Sequence, residues 1–210
     1  MNGPGHAGYL TVKRLFDVVV SGLGLVAGAP VLAAVAVAVR RDLGSPVLFR
    51  QERPGLHGKP FELIKFRTMR SLGGSDGVSN DAERLTPLGR WLRSTSLDEL
   101  PTLWNVFRGD MSLVGPRPLL MAYLEHYTSE QNRRHEVRPG VTGLAQVRGR
   151  NALTWGEKFA ADVQYVDNFG PGMDARVLAA TVAAVLRRKG ISAEGVATMP
   201  LFRGSPRSAG

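Results

Sequence analysis

The chain has 210 residues, 43% of them hydrophobic and 21% charged, and it has no cysteine. That length holds one domain, or a domain with an appendage, and suffices to bury a core. The missing cysteines exclude a disulfide scaffold, a zinc-finger array, an iron–sulfur protein and any thiol nucleophile. Lys and Arg number 27 against 18 Asp and Glu, a net charge of +9. This balance favours polyanions or an anionic surface, although the abundant Arg, Ala and Gly also fit a bias in genomic base composition.

Residues 15–39 read LFDVVVSGLGLVAGAPVLAAVAVAV, with Asp17 as the only charge. As a straight helix such a run reaches across a bilayer core. Two features point instead to a helix that enters and returns to the same face. Pro30, beside Gly28 and Ala29, removes a backbone donor near the middle and favours a kink. Lys13-Arg14 precede the run and Arg40-Arg41 follow it, whereas a span keeps its positive flank on the cytoplasmic side. The expectation is a retained re-entrant anchor, helix–break–helix, over 13–41, after an N-terminal tail over 1–12. A buried soluble helix is the alternative, disfavoured because the run is apolar all round. A cleaved signal peptide fits less well, since Pro30 directly follows the small-residue site and the apolar run continues beyond it.

Beyond the anchor, Val47-Leu48-Phe49 and residues 61–69 are short β-rich runs separated by the turn-prone 54–58, which predicts a hairpin. Residues 71–83 are polar and glycine-rich, a surface loop. Thr86-Pro87 opens a short helix through Arg93, and a second helix covers 99–108, ended by Gly109-Asp110. Gly115-Pro116-Arg117-Pro118 is a stiff loop, a third helix is expected over 118–134, and 138–151 is irregular. Thr154-Trp155-Gly156-Glu157 has capping-box spacing and opens a helix carrying Trp155, Phe159, Val163 and Val166 on one face. A last helix over 174–189 places Val177, Leu178, Val182, Val185 and Leu186 together and stops at Gly190. The fold class is α+β, predominantly helical: one body over 42–199 with a small β-hairpin, fastened to a membrane, and a disordered tail over 200–210.

The chemistry concentrates at RSTSLDELP, where Asp98 and Glu99 precede a proline-containing first helical turn. Asp98 as N-cap, or Ser96 as N-cap with Glu99 completing a capping box, accounts for these residues structurally. A helix start also suits a phosphate, and a carboxylate there can bind Mg²⁺ or attack phosphorus. Lys65 and Arg67 lie two apart on a predicted strand, and so on one face. Arg117, between two prolines, loses little freedom on gripping an anion and offers a planar fork to phosphate oxygens. Taken singly, each of these cations also reads as a solvated surface charge. The four histidines lack metal-site spacing, and neither GxxxxGK nor a strand-following GxGxxG is present. The basic residues are scattered and form no nucleic-acid recognition motif.

The segments KRLFDVVVS at 13–21, PVLFRQERPG at 46–55, FELIKFRTM at 61–69, RSTSLDELPTLWNVFRGDMSLVGPRPLL at 93–120 and RPGVTGLAQVRGRN at 138–151 are together specific. In that order they resemble the bacterial sugar transferase family, small monotopic phosphoglycosyl transferases acting on polyprenyl phosphate. The resemblance spans about residues 11–198. It implies a re-entrant helix at the cytoplasmic face of the bacterial inner membrane. It also implies transfer of a sugar-1-phosphate from a UDP-sugar to undecaprenyl phosphate, with release of UMP. It implies Asp98 as nucleophile through a covalent phosphosugar–aspartyl intermediate, and Glu99 as its partner in proton transfer or orientation. Mg²⁺ is the implied cofactor, touched by Asp98. Lys65, Arg67, Arg93 and Arg117 would hold phosphate, and Gln146 and Arg150 would contact nucleotide or sugar. The implied partners are the UDP-sugar, the polyprenyl phosphate and a phospholipid membrane, with no nucleic acid; monomer and homodimer both stay open. Ala29-Pro30 departs from the family's usual Ser-Pro at the bend. Gly143-Leu144-Ala145 and Arg148 depart from the Trp and Asn of some relatives, which leaves the sugar open. With so few residues ahead of the anchor, the chain is expected to be the minimal form of the family.

Overall fold

The computed structural model describes residues 4–70, 81–149, 152–187, 201, 202 and 204. It opens with one long helix, α1 (Pro4–Leu43), the single described helix long and apolar enough to cross a membrane by length and composition. The expected break at Pro30 does not interrupt it, and the chain stays helical through that residue. Proline deletes one N–H and crowds the carbonyl four residues back, but its fixed φ is itself helical.

One flank of α1 is fixed to the body toward both of its ends. Arg14 donates to the Val106 and Phe107 carbonyls at 2.6 and 2.7 Å. Asp17, the lone charge of the apolar run, accepts the Leu113 N–H at 3.0 Å. Farther along, Val35 and Val39 are buried with Phe66 and Leu92, and Asp42 accepts from the Thr86 hydroxyl at 2.7 Å. The opposite flank exposes Leu15, Phe16, Val19, Leu23, Val26 and Val31.

The predicted hairpin is present: β1 (Leu48–Pro54) pairs antiparallel with β2 (Pro60–Phe66), with Phe49 opposite Lys65. Residues 71–80 of the expected loop lie outside the described residues, and Glu83 belongs to a single helical turn, α2 (Asp81–Arg84). α3 (Pro87–Thr95) begins as its sequence requires, with the Thr86 hydroxyl accepting the Gly89 N–H at 3.0 Å and Pro87 in the first turn. A side chain at Gly89 would stand 2.0 Å from the Thr68 carbonyl, so only glycine lets α3 pass the end of β2.

The helix expected from residue 99 starts later, as α4 (Thr102–Arg108), and Leu97–Glu99 forms a 3-10 turn instead. Gly109, at φ 97, ends α4 in the left-handed region. β3 (Ser112–Val114) then pairs in parallel with β4 (Gly140–Thr142), a strand inside the stretch expected to be irregular. The backbones approach so closely that a Cβ at Gly140 would meet the Gly115 nitrogen at 2.1 Å.

No continuous helix fills 118–134. The segment divides into a 3-10 turn (Met121–His126), α5 (Ser129–Asn132) and a second 3-10 turn (Arg133–His135). Tyr127 is extended, and Thr128 restarts the helix with a capping box to Gln131. Three more helices follow among the described residues: α6 (Leu144–Arg148), α7 (Trp155–Asn168) and α8 (Pro171–Arg187). α7 carries the predicted Thr154–Glu157 capping box and buries Phe159, Val163 and Val166. α8 starts earlier than expected, and of its predicted apolar face Val177 is buried while Val182 is 59% exposed. Residues 188–190, with the expected glycine stop, lie outside the described residues.

The main core joins α4, β3, α6, α7 and α8 through Val106, Met111, Val114, Leu144, Tyr165 and Val177. A separate aromatic cluster gathers Tyr123, Phe159 and Phe202, with Tyr127 and Trp155 packed on it. Phe202, within the stretch expected to be a disordered tail, is only 5% exposed.

Candidate active site

The turn bearing Asp98 and Glu99 is wedged between two helices. α3 ends at Ser96, whose φ of 58 is the left-handed conformation that reverses the chain. α4 begins with Pro101 at its N-cap and no side-chain cap. Neither Asp98 nor Ser96 therefore caps α4, and the capping explanation of these residues does not hold. Asp98 is 5% exposed, and its carboxylate makes no hydrogen bond among the described residues.

The neighbouring elements are tied to this turn by two side chains that sequence reasoning passed over. Asn105 of α4 accepts the Ile64 N–H at 3.1 Å and donates to the Glu62 carbonyl at 2.7 Å. Thr102 donates to the Ile64 carbonyl at 3.0 Å. Together they satisfy the outer edge of β2 as another strand would, and they fix Lys65, the next residue, beside the turn. Lys65 stands over the Phe49 ring at 5.6 Å from its centroid. Burial first, and then the charge of Arg117, push its ammonium down to about 8.

Arg117 follows β3 and donates from Nη2 to Glu99 Oε1 at 2.7 Å. The Glu99 carboxylate raises the pKa of Arg117 further above its ordinary value. Arg93, in the last turn of α3, donates from Nε to the Thr68 hydroxyl at 3.1 Å. Burial raises the Asp98 carboxyl above its ordinary value and the Glu99 charge adds to this, while Lys65, Arg117 and Arg93 pull it back. The structure thus brings Lys65, Arg93, Asp98, Glu99 and Arg117 into one electrostatic cluster.

Other predicted residues stand elsewhere. β2 ends before Arg67, which is buried and donates to the Leu43 and Ser45 carbonyls, closing the C-terminal end of α1. Gln146 donates to the Val141 carbonyl at 2.9 Å, and its buried Oε1 has no partner. Arg150 lies outside the described residues. Two cations near Arg117 carried no sequence signal. Arg53 on β1 is lowered to about 10, by burial first and the Arg117 charge second. Lys158, which packs 4.9 Å from the centre of the Trp155 ring, is lowered by the same two causes.

No group of three or more acidic, His or Cys side chains able to hold a metal occurs among the described residues. A hard divalent ion such as Mg²⁺ needs less, because it takes one or two carboxylates and completes its shell from water and substrate phosphate. The donor set here fits that pattern: Asp98, with no hydrogen bond on its carboxylate, beside Glu99.

The fold thus sets an acidic pair among cations beside one helix long and apolar enough to cross a membrane by length and composition. The family description "Bacterial sugar transferase" matches residues 8–188, and the chain belongs to that family. It is 50% identical over 197 residues to the uncharacterized sugar transferase EpsL of Bacillus subtilis, covering 93% of this chain and 98% of that one. It is 41% identical over 185 residues to the UDP-glucose:undecaprenyl-phosphate glucose-1-phosphate transferase of Caulobacter vibrioides, covering 83% and 69%. The undecaprenyl-phosphate galactose phosphotransferase of Salmonella typhimurium is 39% identical over 198 residues, which span 85% of this chain and 41% of that protein.

Proposed function

We propose that the chain transfers a sugar-1-phosphate from a UDP-sugar to undecaprenyl phosphate or a similar polyprenyl phosphate, with Asp98 as nucleophile. The observation that carries this reading is Asp98 itself: buried, committed to no helix cap, and set among Lys65, Arg93 and Arg117. A buried carboxylate poorly solvated by water is a stronger nucleophile, and the three cations lower the repulsion between it and an anionic diphosphate. Relatives whose names specify this transfer support the reaction class.

In the first half, an Asp98 carboxylate oxygen bonds to the sugar-bearing phosphorus. The bond from that phosphorus to the bridging oxygen breaks, and UMP leaves with the electron pair. The sugar phosphate is then held on Asp98 as an acyl phosphate. In the second half, a phosphate oxygen of the polyprenyl phosphate bonds to the same phosphorus, the aspartyl oxygen departs, and the carboxylate is restored. Arg117, kept charged by Glu99, and Lys65 grip the phosphate oxygens whose charge shifts in both halves. Mg²⁺, held by Asp98 and Glu99, would supply charge neutralisation of the diphosphate and of the departing UMP.

The acceptor is a lipid, so the body must sit at a membrane. Both ends of α1 are bonded to the same body, Arg14 near one end and Asp42 near the other. A helix crossing a bilayer cannot have both ends on one side. The exposed mid-section, where Val26 is 77% exposed and Gly28 has nothing within 4 Å of a Cβ, is then the part of α1 that meets the lipid, from one face of the membrane. Arg40-Arg41, exposed at the C-terminal end of α1, then face anionic head groups.

The test is nucleotide release from nanodisc-held protein given Mg²⁺, undecaprenyl phosphate and a panel of UDP-sugars. UMP released with one or a few of the sugars is the expected result. UDP as product, or no nucleotide across the panel from folded protein, contradicts the reading.

A further inference from the structure

Arg134 and Asp162 form an ion pair almost wholly withdrawn from water, their side chains 2% and 4% exposed. Arg134 donates to Asp162 Oδ2 from Nε at 3.0 Å and from Nη2 at 2.7 Å. Its guanidinium packs over the rings of Tyr127 and Phe159, 5.7 Å from each centroid, and Nη1 reaches the Tyr127 hydroxyl at 3.2 Å. Desolvation offsets most of the attraction in so deep a pair, and stability alone is a poor reason to keep one. The remaining bond gives a better reason: Nη2 also donates to the main-chain carbonyl of Arg117 at 2.7 Å.

On the other side of Arg117, the Pro116 carbonyl accepts the Gly140 N–H at 2.9 Å. Pro118 confines Arg117 to extended dihedrals, and Pro116 has its own φ locked. That leaves the peptide plane after Arg117 free to tilt, which shifts the Cα that bears the side chain. The bond from Arg134 removes that freedom, and Asp162 in turn fixes the fork of Arg134. The chain of contacts runs Asp162, Arg134, Arg117 carbonyl, Arg117 guanidinium, Glu99, from the interior of α7 to the edge of the candidate site.

We propose that Arg134 is a positioning residue, which aims the Arg117 guanidinium at the Asp98–Glu99 turn through the Arg117 main chain, with Asp162 as its anchor. Its catalytic consequence rests on the reading of Arg117 as a phosphate-gripping residue; its structural content does not. Lysine at position 134 keeps the charge but has a single nitrogen, which cannot serve the carboxylate and the carbonyl in one planar fork.

Two readouts on protein held in nanodiscs test this. The first is the Arg117 Nε–Hε signal in arginine-labelled protein, identified by its loss in Arg117→Lys. Arg134→Lys should move that signal to the position of an unpaired guanidinium, with the circular dichroism unchanged. The second is a double-mutant cycle on UMP release. Arg134→Lys alone should lower kcat about 10- to 100-fold with KM changed by less than about threefold, the scale expected for a misplaced contact group. In an Arg117→Ala background the same substitution should change kcat less than about twofold, because its target is gone. A merely structural role would lower both backgrounds by the same factor. An unmoved Arg117 signal, or losses that multiply, overturns the proposal. If Arg134→Lys does not fold, Asp162→Asn, nearly isosteric, is read the same way. A wild-type chain that releases no UMP refutes the transferase reading instead, and the Arg117 signal then decides this proposal by itself.

Discussion

Arg117 Nη2 lies 2.7 Å from Glu99 Oε1, so of two adjacent carboxylates it is Glu99 that pairs with the proline-flanked arginine. The pair is thereby divided into a half-buried partner that fixes a cation and a buried one that does not pair with it.

That division predicts opposite stability effects. Burial and the Glu99 charge raise the Asp98 pKa, so the folded state prefers the neutral form. A group of this kind costs stability once the pH exceeds its unfolded pKa. Asp98→Asn should therefore raise Tm at pH 7 by a few degrees, at about 2–4 °C per kcal/mol for a chain of this size. UMP release should fall about a thousandfold or more. Glu99→Gln should instead leave Arg117 without its charged partner, and lower activity about 10- to 100-fold with no gain in Tm. Thermal melts and nucleotide assays on the two variants check both signs.

The pH profile of UMP release should be a bell with two assignable limbs. The acid limb belongs to Asp98, which must lose its proton to attack, and it should lie above the ordinary carboxylate range. The alkaline limb belongs to Lys65, whose ammonium is held down at about 8, so its charge is lost as pH rises through that value. Lys65→Arg, which stays charged, should extend activity to pH 9 and beyond while leaving the acid limb in place. An alkaline limb unmoved by that substitution would assign it to another group.

Phe202 packs with its ring centroid 4.9 Å from that of Phe159 and stacks on Tyr127 at 5.9 Å. Its main-chain N–H donates to the Tyr123 hydroxyl at 3.2 Å. Truncating a buried phenylalanine costs about 3–5 kcal/mol. Phe202→Ala should lower Tm by about 6–20 °C, and Phe202→Leu, which refills most of the space, should restore much of the loss. A Phe202→Ala protein that melts within a degree of wild type would show that the cage is filled without this side chain.

Asp174 is the joint between α1 and the last two helices. Its Oδ2 accepts from Tyr9 at 2.6 Å and from Lys13, and its Oδ1 accepts from Tyr165 at 2.7 Å. Removing the carboxylate strands the Lys13 ammonium and the Tyr9 hydroxyl, while Tyr165 keeps the Val114 carbonyl at 3.1 Å, a loss of about 3–5 kcal/mol. Asp174→Leu should lower Tm by roughly 6–20 °C and expose the start of α1 to protease, measured by limited digestion. Asp174→Asn, which keeps one acceptor, should fall between.

Much of this architecture was legible in the sequence, wherever a local rule was strong enough to survive packing. Thr86-Pro87 and Thr154–Glu157 state their own helix starts, and the 54–58 turn states the hairpin. Asp17, an isolated charge in an apolar run, was a visible signal of a buried contact whose partner, the Leu113 N–H, only the fold reveals. The failures have a common physical origin in tertiary partners. Residues 118–134 have helical composition, yet Tyr127, packed on Phe159 and Phe202, is extended, and Thr128 caps a new helical turn after it. β3 and β4 are three residues each, too short to show a period, and their pairing depends on glycines that admit a second backbone. Arg67 shared a sequence motif with Lys65 but turns to the end of α1, because β2 stops one residue before it. Asp98 was legible as a candidate, whereas its release from capping depended on where α4 begins.

The most direct test of the central claim is the intact mass of the nanodisc-held protein after exposure to its UDP-sugar and Mg²⁺ with the polyprenyl phosphate left out. The account predicts a gain of one sugar phosphate per chain, mapped to Asp98, with one equivalent of UMP released and no gain in Asp98→Asn. UMP formed with no mass gain on the wild-type chain, or an adduct that persists in Asp98→Asn, would contradict it.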